Sequence, residues 1–350
     1  MAERSDQYRR LSEELNQLFL SDPAAASLRA ARIASQAEAE GDAAHALFFQ
    51  GEAAAFALDF KRALTLEENA LNLLPGEDFI RANYGVALSR LGRDEEALAA
   101  YDQVLAQDPW NSFVLTQKGA SISKLGHDEA ALKFFAAALK SDPHNVQALA
   151  QTGVSFSKLN RDLEALDYFK KALSLRPDYV LALIQMGVSL SKLDRDQESL
   201  SFFDRALALA PRSPHALTQK AVSLSRLDRD QEALDYYDRA LSLAPDYVLA
   251  LSQKGYALHK LECEEDALAL YERALALEPR NQDALMAKGM TLMRLCRYDE
   301  ALACLRQANL DRGDTPYFIG YCLMCRAFHR LGQRLRDILQ RLGPGGGKGR

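Results

Sequence analysis

Side-chain amides recur along this 350-residue chain at one fixed interval of 34 residues. They are Asn83, Gln117, Gln151, Gln185, Gln219 and Gln253. We call this set the amide column. A carboxamide carries an acceptor oxygen and two donor hydrogens, so it can pair with the C=O and the N–H of a peptide without contacting its side chains. The alternative is that these are solvated helix glutamines, which recur because the repeated segments are copies of one another.

Other side chains follow the amide column with the same period. Four apolar residues each precede an amide by four positions, one helical turn, and they are Phe79, Phe113, Leu181 and Leu249. Tyr179 and Tyr247 lie in two identical PDYVLAL segments, where a ring could stack on a ligand or pack against the next helix. A serine row is predicted on the same face, and it consists of Ser89, Ser123, Ser157, Ser191 and Ser225.

Basic residues form a second complete set, which we call the basic column. It consists of Arg90, Lys124, Lys158, Lys192, Arg226, Lys260 and Arg294. These cations could bind an acidic ligand. Each is also predicted in the last turn of its own helix, where the negative end of the helix dipole favours a cation, and we prefer this second interpretation. His215 and His259 fall on the same face as further polar candidates.

Catalytic and metal-binding patterns are missing from the sequence. Cys322 and Cys325 form a CxxC pair, but the surrounding apolar helical segment favours packed thiols over a zinc site. The terminal GPGGGKGR lacks the spacing and the hydroxyl of a phosphate-binding loop. Without a nucleophile–base pair or a cofactor fingerprint, we expect no enzymatic activity, no cofactor and no metal.

The elements that must position these residues repeat with the same period. Prolines stand at 75, 109, 143, 177, 211, 245 and 279, and glycines at 51, 85, 119, 153, 187, 255 and 289, with Ala221 as the one substitute. An aromatic column runs through Tyr101, Phe135, Phe169, Phe203, Tyr237 and Tyr271. Self-similarity at a fixed period of this length indicates a repeat architecture, in which stacked units share one continuous core.

Residues 180–213 show how one unit folds. Leu183, Gly187 and Leu190 recur at helical spacing and predict a first helix. Asp196 is predicted as the N-cap of a second helix, which Pro211 ends. Gly187 lacks a side chain where the two helices cross, so the backbones can approach while an aromatic ring fills the space beside them.

The glycine, aromatic and proline columns resemble the tetratricopeptide repeat family, together with an alanine column at Ala138, Ala172, Ala206, Ala240 and Ala274. The resemblance implies an all-α, right-handed superhelical solenoid of about eight 34-residue helix-turn-helix repeats with capping helices at both ends. The repeats are expected at 44–77, 78–111, 112–145, 146–179, 180–213, 214–247, 248–281 and 282–315. Glu67 replaces the aromatic of the first repeat, and Leu305 and Gly313 replace the aromatic and the proline of the last. Such departures are expected where a terminal repeat faces a cap or solvent.

The ends of the chain complete the predicted organisation. Residues 1–43 are expected to form N-terminal capping helices, the second opened by Asp22-Pro23 and closed by Gly41. Residues 316–342 are expected to form two C-terminal capping helices that cover the last repeat. The glycine-rich residues 343–350 are expected to be a flexible tail.

The same resemblance implies where the amide column lies. In this family the position faces the concave groove, and some members grip an extended peptide there with an asparagine ladder. Members that bind chaperone tails use a carboxylate clamp, and here valine or alanine occupies the place of the clamp asparagine. A receptor for acidic chaperone tails is therefore not expected.

Composition limits the partners. The net charge of −5 and the pI near 5.8 give no global attraction for nucleic acid. No apolar run is long enough for a signal peptide or a membrane span, and the five cysteines are an odd number, so we expect a cytoplasmic protein with reduced thiols.

We therefore predict a non-catalytic scaffold or adaptor that binds a peptide segment, or a partner's helix, in its groove. The alternative is a targeting or regulatory subunit of an enzyme complex, such as a glycosyltransferase or a protease, whose catalytic part lies on another chain. Self-association through the repeat ends is a third interpretation. The identity of the partner does not follow from the sequence.

Overall fold

Each periodic proline directly follows the end of a helix in the computed structural model, which describes residues 2–19, 22–308 and 315–341. Pro109, for example, follows Asp108, the C-cap of a helix that ends at Gln107. Regular structure in the described residues consists of nineteen helices and no strand. The chain divides into two units, residues 1–192 and 193–350, each of which is described by itself.

The first unit contains eleven of these helices. They are α1 (Ala2–Phe19), α2 (Pro23–Ala39), α3 (Ala43–Phe56), α4 (Phe60–Leu73), α5 (Asp78–Arg90), α6 (Asp94–Gln107), α7 (Ser112–Lys124), α8 (Asp128–Ser141), α9 (Val146–Lys158), α10 (Asp162–Leu175) and α11 (Val180–Lys192). Within this unit each helix packs on the next, so α3 to α10 form four consecutive pairs.

The second unit continues the pattern with eight helices among its described residues. They are α12 (Asp196–Leu209), α13 (Pro214–Arg226), α14 (Asp230–Leu243), α15 (Val248–Lys260), α16 (Glu264–Leu277), α17 (Gln282–Arg294), α18 (Tyr298–Gln307) and α19 (Thr315–Arg341). Here too, consecutive helices pack on each other. The predicted all-α repeat fold is confirmed, whereas the exact repeat boundaries remain predictions.

Short polar residues begin the first helix of several pairs. The side chain of Asn111 accepts a hydrogen bond from the amide of Val114 at 3.1 Å, and Asn145 accepts one from Ala148 at 2.9 Å. Asp59 begins the second helix α4 in the same way, whereas α12 begins differently. Arg195, not Asp196, is the N-cap of α12, and Asp196 is the first helical residue. The N-cap role that the sequence predicts for Asp196 is therefore wrong.

Left-handed residues close the turns between the two helices of several pairs. The φ angle is +85° at Gly126, +57° at Asn160 and +56° at Asp228. Glycine, asparagine and aspartate tolerate this region best, so these turns agree with their sequences. Leu58 takes the same conformation at +64°, where a branched side chain is less favourable.

Close contact between a glycine and a ring locks the two helices of a pair together. A Cβ placed on Gly153 would lie 2.5 Å from Cε1 of Phe169, and one on Gly119 would lie 2.6 Å from Cε1 of Phe135. Both rings are completely buried. No larger side chain fits there without a shift, which is the packing reason that the sequence predicts for the glycine column.

Two buried carboxyl groups interrupt this pattern in the first pair. Glu67 stands in the aromatic position but is 1% exposed, and Glu52 is 3% exposed and accepts a 2.6 Å hydrogen bond from Ser12 of α1. Burial raises the pKa of Glu52 to about 8 and the pKa of Glu67 well above its ordinary value, with the nearby Glu52 adding to the second shift. The replacement at Glu67 is expected from the sequence because a terminal repeat faces a cap or solvent, but the sequence does not indicate where the carboxyl group lies. The structure places it in the interior.

The C-terminal segment also differs from its prediction. One continuous helix, α19, replaces the two predicted capping helices. Its Phe318, Ile319 and Cys322 pack in a cluster that includes Leu305 of the last pair, whereas Phe328 and Leu331 are more than half exposed. The N-terminal part of the helix therefore covers the last pair, and farther along Arg326 Nη2 lies 2.6 Å from Asp299 Oδ1 of α18. Gly313 and the predicted tail lie outside the described residues.

We expect Gly153→Leu to destabilise the protein by about 1–3 kcal/mol, because the new side chain must displace the buried Phe169 ring. Gly320→Leu is the matched control, since Gly320 is also helical but a Cβ there meets nothing within 4 Å. Denaturant unfolding of both variants measures the difference. Equal midpoints would show that the glycine column is not a close-packed crossing.

Glu52 predicts a pH dependence of stability. The pKa of this carboxyl is about 8 in the folded chain, against an ordinary value of 4.5. As pH rises between these values, the unfolded chain loses the proton while the folded chain keeps it, so the stability falls. Glu52→Gln should flatten that slope by about 1.4 kcal/mol per pH unit. The exposed Glu68→Gln should not. Unfolding free energies between pH 5 and 8 provide the test, and an unchanged slope in Glu52→Gln would contradict the raised pKa.

Candidate functional site

The position of the amide column follows from the glycine contact. Each amide precedes a column glycine, or Ala221, by two residues, and two residues rotate about 200° around a helix. Since Gly119 and Gly153 face the ring of the second helix, Gln117 and Gln151 lie on the opposite side of the first helix. All six amide residues are half-buried. They are held by rigid helices and still reach the surface.

Most of these amides have no partner in the protein. Asn83 donates from Nδ2 to the carbonyl of Phe79 at 3.1 Å, and Gln219 lies 3.4 Å from Nε2 of His215. The other four, Gln117, Gln151, Gln185 and Gln253, form no side-chain hydrogen bond within the described part of the chain. Their donors and acceptors are therefore available to another molecule. Burial lowers the pKa of His215, so its neutral ring can accept from Gln219.

The predicted apolar neighbours separate into two groups. Phe113, Leu181 and Leu249 are half-buried beside the amides, as are both tyrosines of the PDYVLAL segments, Tyr179 and Tyr247. Burial raises the pKa of each tyrosine, so both remain neutral. Phe79 is different, because it is 8% exposed and its ring centroid lies 5.0 Å from that of Phe48. We therefore assign Phe79 to the core.

The basic column has partners in the preceding helix pair. The Nζ of Lys124 donates to the carbonyl and the hydroxyl of Ser89 at 2.9 and 2.8 Å. Lys158 contacts Ser123 in the same way at 3.0 and 2.9 Å. Lys192 contacts Ser157 at 2.8 and 3.0 Å. Each lysine thus caps the last turn of the preceding first helix, and not only its own helix as the sequence predicts.

The serine row lies within this contact and not on the open surface. Ser89 donates to the carboxylate of Asp94 at 2.6 Å, and Ser157 donates to Asp162 at 2.6 Å. These serines and carboxylates are at most 9% exposed. The lysine of the next pair stands nearby, with 3.9 Å between Lys124 Nζ and Asp94 Oδ1. Carbonyl, serine, aspartate and lysine form one unit, which we call the inter-repeat brace.

The brace continues in the second unit, where arginine replaces some of the lysines and a histidine replaces one serine. Arg226 Nε lies 3.0 Å from Asp196 Oδ2, and Lys260 lies 2.9 Å from Asp230. His259 takes the serine position, where it is 9% exposed and its Nδ1 lies 2.6 Å from Glu264. The basic column from Lys124 to Arg294 and His259 thus have partners within the protein, which explains these residues without a ligand.

Two concave regions of the second unit contain amide-column residues. A cavity of about 310 Å³ is lined by Tyr247, Leu249 and Gln253, which brings together three predicted site residues. A second cavity of about 520 Å³ is lined by Gln253 and by Tyr256, which is 45% exposed. The sequence analysis missed Tyr256. The sequence does indicate this residue, because the equivalent positions of earlier repeats, such as Val222, carry small apolar residues.

Neither metal nor membrane chemistry has support in the described residues. No group of three His, Cys, Asp or Glu side chains there could hold a metal ion. Cys322 is buried, and its thiol lies 3.7 Å from the carbonyl of Tyr298. Within the described ranges, no helix is both long and apolar enough to span a bilayer.

Comparisons with known proteins agree on one fold. Models of the tetratricopeptide repeat match residues 83–109, 124–180, 187–248 and 265–319, together more than half of the chain. No curated protein matches the sequence.

Solved structures share the fold at low sequence identity. A chain of the APC/C hetero-tetramer Cut9–Hcn1 is 15% identical with a TM-score of 0.70, over 85% of this chain but 59% of that one. A repeat protein from Parabacteroides merdae is 18% identical with a TM-score of 0.56, over 72% of this chain and all of that one. The type IV pilus biogenesis factor PilW is 23% identical with a TM-score of 0.54, over 61% of this chain and 98% of that one.

We expect Asp128→Ala to destabilise the protein by about 1–3 kcal/mol, because the buried hydroxyls of Ser123 and Ser155 both donate to this carboxylate. The exposed neighbour Glu129→Ala should cost less than about 1 kcal/mol, the scale of its contact with the helix dipole. Denaturant unfolding provides the comparison. A neutral Asp128→Ala would mean that the inter-repeat brace contributes little to stability.

Proposed function

The chain belongs to the tetratricopeptide repeat family, whose repeats mediate protein–protein interactions, and we propose that it is a non-catalytic scaffold or adaptor of the cytoplasm. Its ligand is an extended peptide segment of a partner protein. The segment lies along the first helices of successive repeats, where the amide column pairs with its backbone.

The observation that carries this proposal is the unpaired state of consecutive amides. Gln117, Gln151 and Gln185 occupy equivalent places on α7, α9 and α11, and none has a hydrogen-bond partner in the described chain. A solvated glutamine can satisfy itself with water, but three half-buried amides at equivalent places in successive repeats also lie where one ligand can pair with them all. A peptide backbone offers donors and acceptors at regular intervals, so it can satisfy several such amides at once.

Charge recognition explains the site less well. Lys124, Lys158 and Lys192 already donate to serine groups of the preceding repeat. A partner's carboxylate would have to compete with those hydrogen bonds. The apolar neighbours Leu181 and Leu249 are half-buried, and they offer shallow contact to alternate side chains of an extended segment. Backbone pairing with modest side-chain contact is therefore the mode that the surface favours.

A structural relative supports the partner class. The Cut9–Hcn1 structure is described as a hetero-tetramer, so a stack of this kind can be built into an assembly with another protein. Its sequence identity of 15% shows the fold alone, and we take nothing further from it.

We expect the substitutions Gln117→Ala, Gln151→Ala and Gln185→Ala each to weaken partner binding by about 0.5–1.5 kcal/mol, the net scale of a neutral hydrogen bond. Stability should hardly change, because alanine is a good helix former and these side chains hold nothing in the free protein. A partner recovered from host lysate, identified and reduced to its binding segment, serves for calorimetric titration.

Two control sets make this test specific. Gln197→Ala and Gln231→Ala remove exposed glutamines of second helices, outside the amide column, and should leave affinity unchanged. Replacing Lys124, Lys158 and Lys192 by glutamine should lower the unfolding midpoint. It should change the affinity for the partner little. If the folded lysine variant loses binding while the amide variant keeps it, the partner is recognised by charge and the proposal is wrong.

A further inference from the structure

The 310 Å³ cavity of the second unit has an unbalanced charge. Asp246, Glu278 and Asp283 are among its lining residues, and no lysine or arginine is among those described. The N-termini of α15 and α17 border the cavity, and each contributes about half a positive charge. The two helix ends together offset about one charge, which is less than Asp246 and Glu278 supply, so these residues give the cavity a net negative potential.

Its carboxylates differ from those of the neighbouring cavity. Asp246 forms no ion pair or hydrogen bond with the described chain, and Glu278 accepts one neutral hydrogen bond, from Asn281 Nδ2 at 2.8 Å. In the 520 Å³ cavity the acids face cations of the same lining, with Asp228 2.9 Å from Lys260. Asp246 and Glu278 of the smaller cavity are therefore available to a cation, whereas Asp228 of the larger cavity is already paired with one.

A buried hydroxyl in the same lining points independently to a ligand. Ser252 is 8% exposed, and its Oγ is buried without a hydrogen-bond partner in the described structure. Leaving such a group unpaired costs about 1–3 kcal/mol. A donor that enters the cavity would satisfy this oxygen.

An aromatic ring and an amide complete the surface. Tyr247 is half-buried at the cavity and can present its ring to a cation. Gln253, an unpaired member of the amide column, lines the same cavity. A peptide whose backbone pairs with Gln253 would therefore pass beside the carboxylates.

We propose that this cavity, formed by Asp246, Tyr247, Ser252 and Glu278, binds a lysine or arginine side chain of the partner segment. The inference rests on the proposed function and adds a sequence preference to it, because backbone pairing alone does not select side chains. The carboxylates supply the charge, the ring supplies a face for the cation, and the serine oxygen accepts one N–H.

The chain contains its own matched control. The segment PDYVLAL occurs at 177–183 and again at 245–251, so Asp178 and Tyr179 correspond to Asp246 and Tyr247. At the same offset, Ala210 stands where Glu278 would be and His215 where Asp283 would be. The first copy has the tyrosine and one acid but lacks the other two carboxylates, and it should not select a cation.

The test uses the full-length chain and three small probes, which are the amides of Nα-acetyl-arginine, Nα-acetyl-lysine and Nα-acetyl-citrulline. Citrulline has the shape of arginine without its charge. Binding is followed by NMR of tyrosine-labelled protein, with the Tyr247 signal assigned from Tyr247→Phe. Arginine or lysine should shift this signal saturably, more weakly as NaCl rises from about 20 to about 200 mM, and citrulline should not. Comparing the two cations shows which one the cavity prefers.

Variants locate the effect. The pair Asp246→Asn and Glu278→Gln should weaken the cationic probe about 10-fold, from roughly additive losses at each site. Glu278→Ala alone, which copies the residue at Ala210, should weaken it about 5-fold if the double variant fails to fold. Asp178→Asn should have no effect.

Several outcomes would overturn the proposal. They are equal binding of citrulline, unchanged binding by the folded carboxylate variants, equal loss in Asp178→Asn, and no saturable shift with either cation. The variant with Gln117, Gln151 and Gln185 replaced by alanine should bind the probes normally. The test can therefore contradict cation binding in the 310 Å³ cavity without contradicting peptide binding by the amide column.

Discussion

The contact between a glycine and an aromatic ring is the constraint from which the rest of each repeat follows. At Gly85, Gly119 and Gly153, a Cβ would lie within 2.6 Å of the ring that crosses there. The ring fixes how the first helix is rotated, and rotation fixes every other position on it. Two residues before the glycine the side chain faces away from the second helix, and so the amides reach the surface.

The same rotation aligns successive repeats. Lys158 follows Gly153 by five residues and donates to Ser123 of the preceding repeat. Its Nζ also lies 3.7 Å from Oδ1 of Asp128. A carboxylate that is 8% exposed is costly unless it is hydrogen-bonded and near a cation. The inter-repeat brace supplies both, from a serine of the same repeat and a lysine of the next. The recurring serines, aspartates and lysines therefore form one structural contact, the inter-repeat brace. Their recurrence is explained without a ligand.

The sequence predicts those parts of the structure that depend on local pattern. Period and helical spacing predicted the all-α repeat fold, and the glycine column predicted the close crossing. Contacts between residues 35 positions apart, such as Lys124 with Ser89, have no local signal, so the basic column received a local explanation. The replacement at Glu67 was expected because a terminal repeat faces a cap or solvent, but the sequence did not indicate that the repeat geometry places this carboxyl group inside. Among the site residues, Phe79 belongs to the core for the same reason.

Regular and irregular positions have separate consequences for binding. A column that repeats in every unit, such as the amides, presents the same chemistry to each part of a ligand. It can therefore bind only the part of a peptide that also repeats, which is the backbone. Selectivity must come from residues that break the period. Glu278 stands where an earlier repeat has Ala210, and Tyr256 stands where an earlier one has Val222. Both depart from the pattern within the second unit, and each lines a cavity with Gln253. The amide at Gln253 is therefore where backbone pairing and side-chain selection are expected to meet.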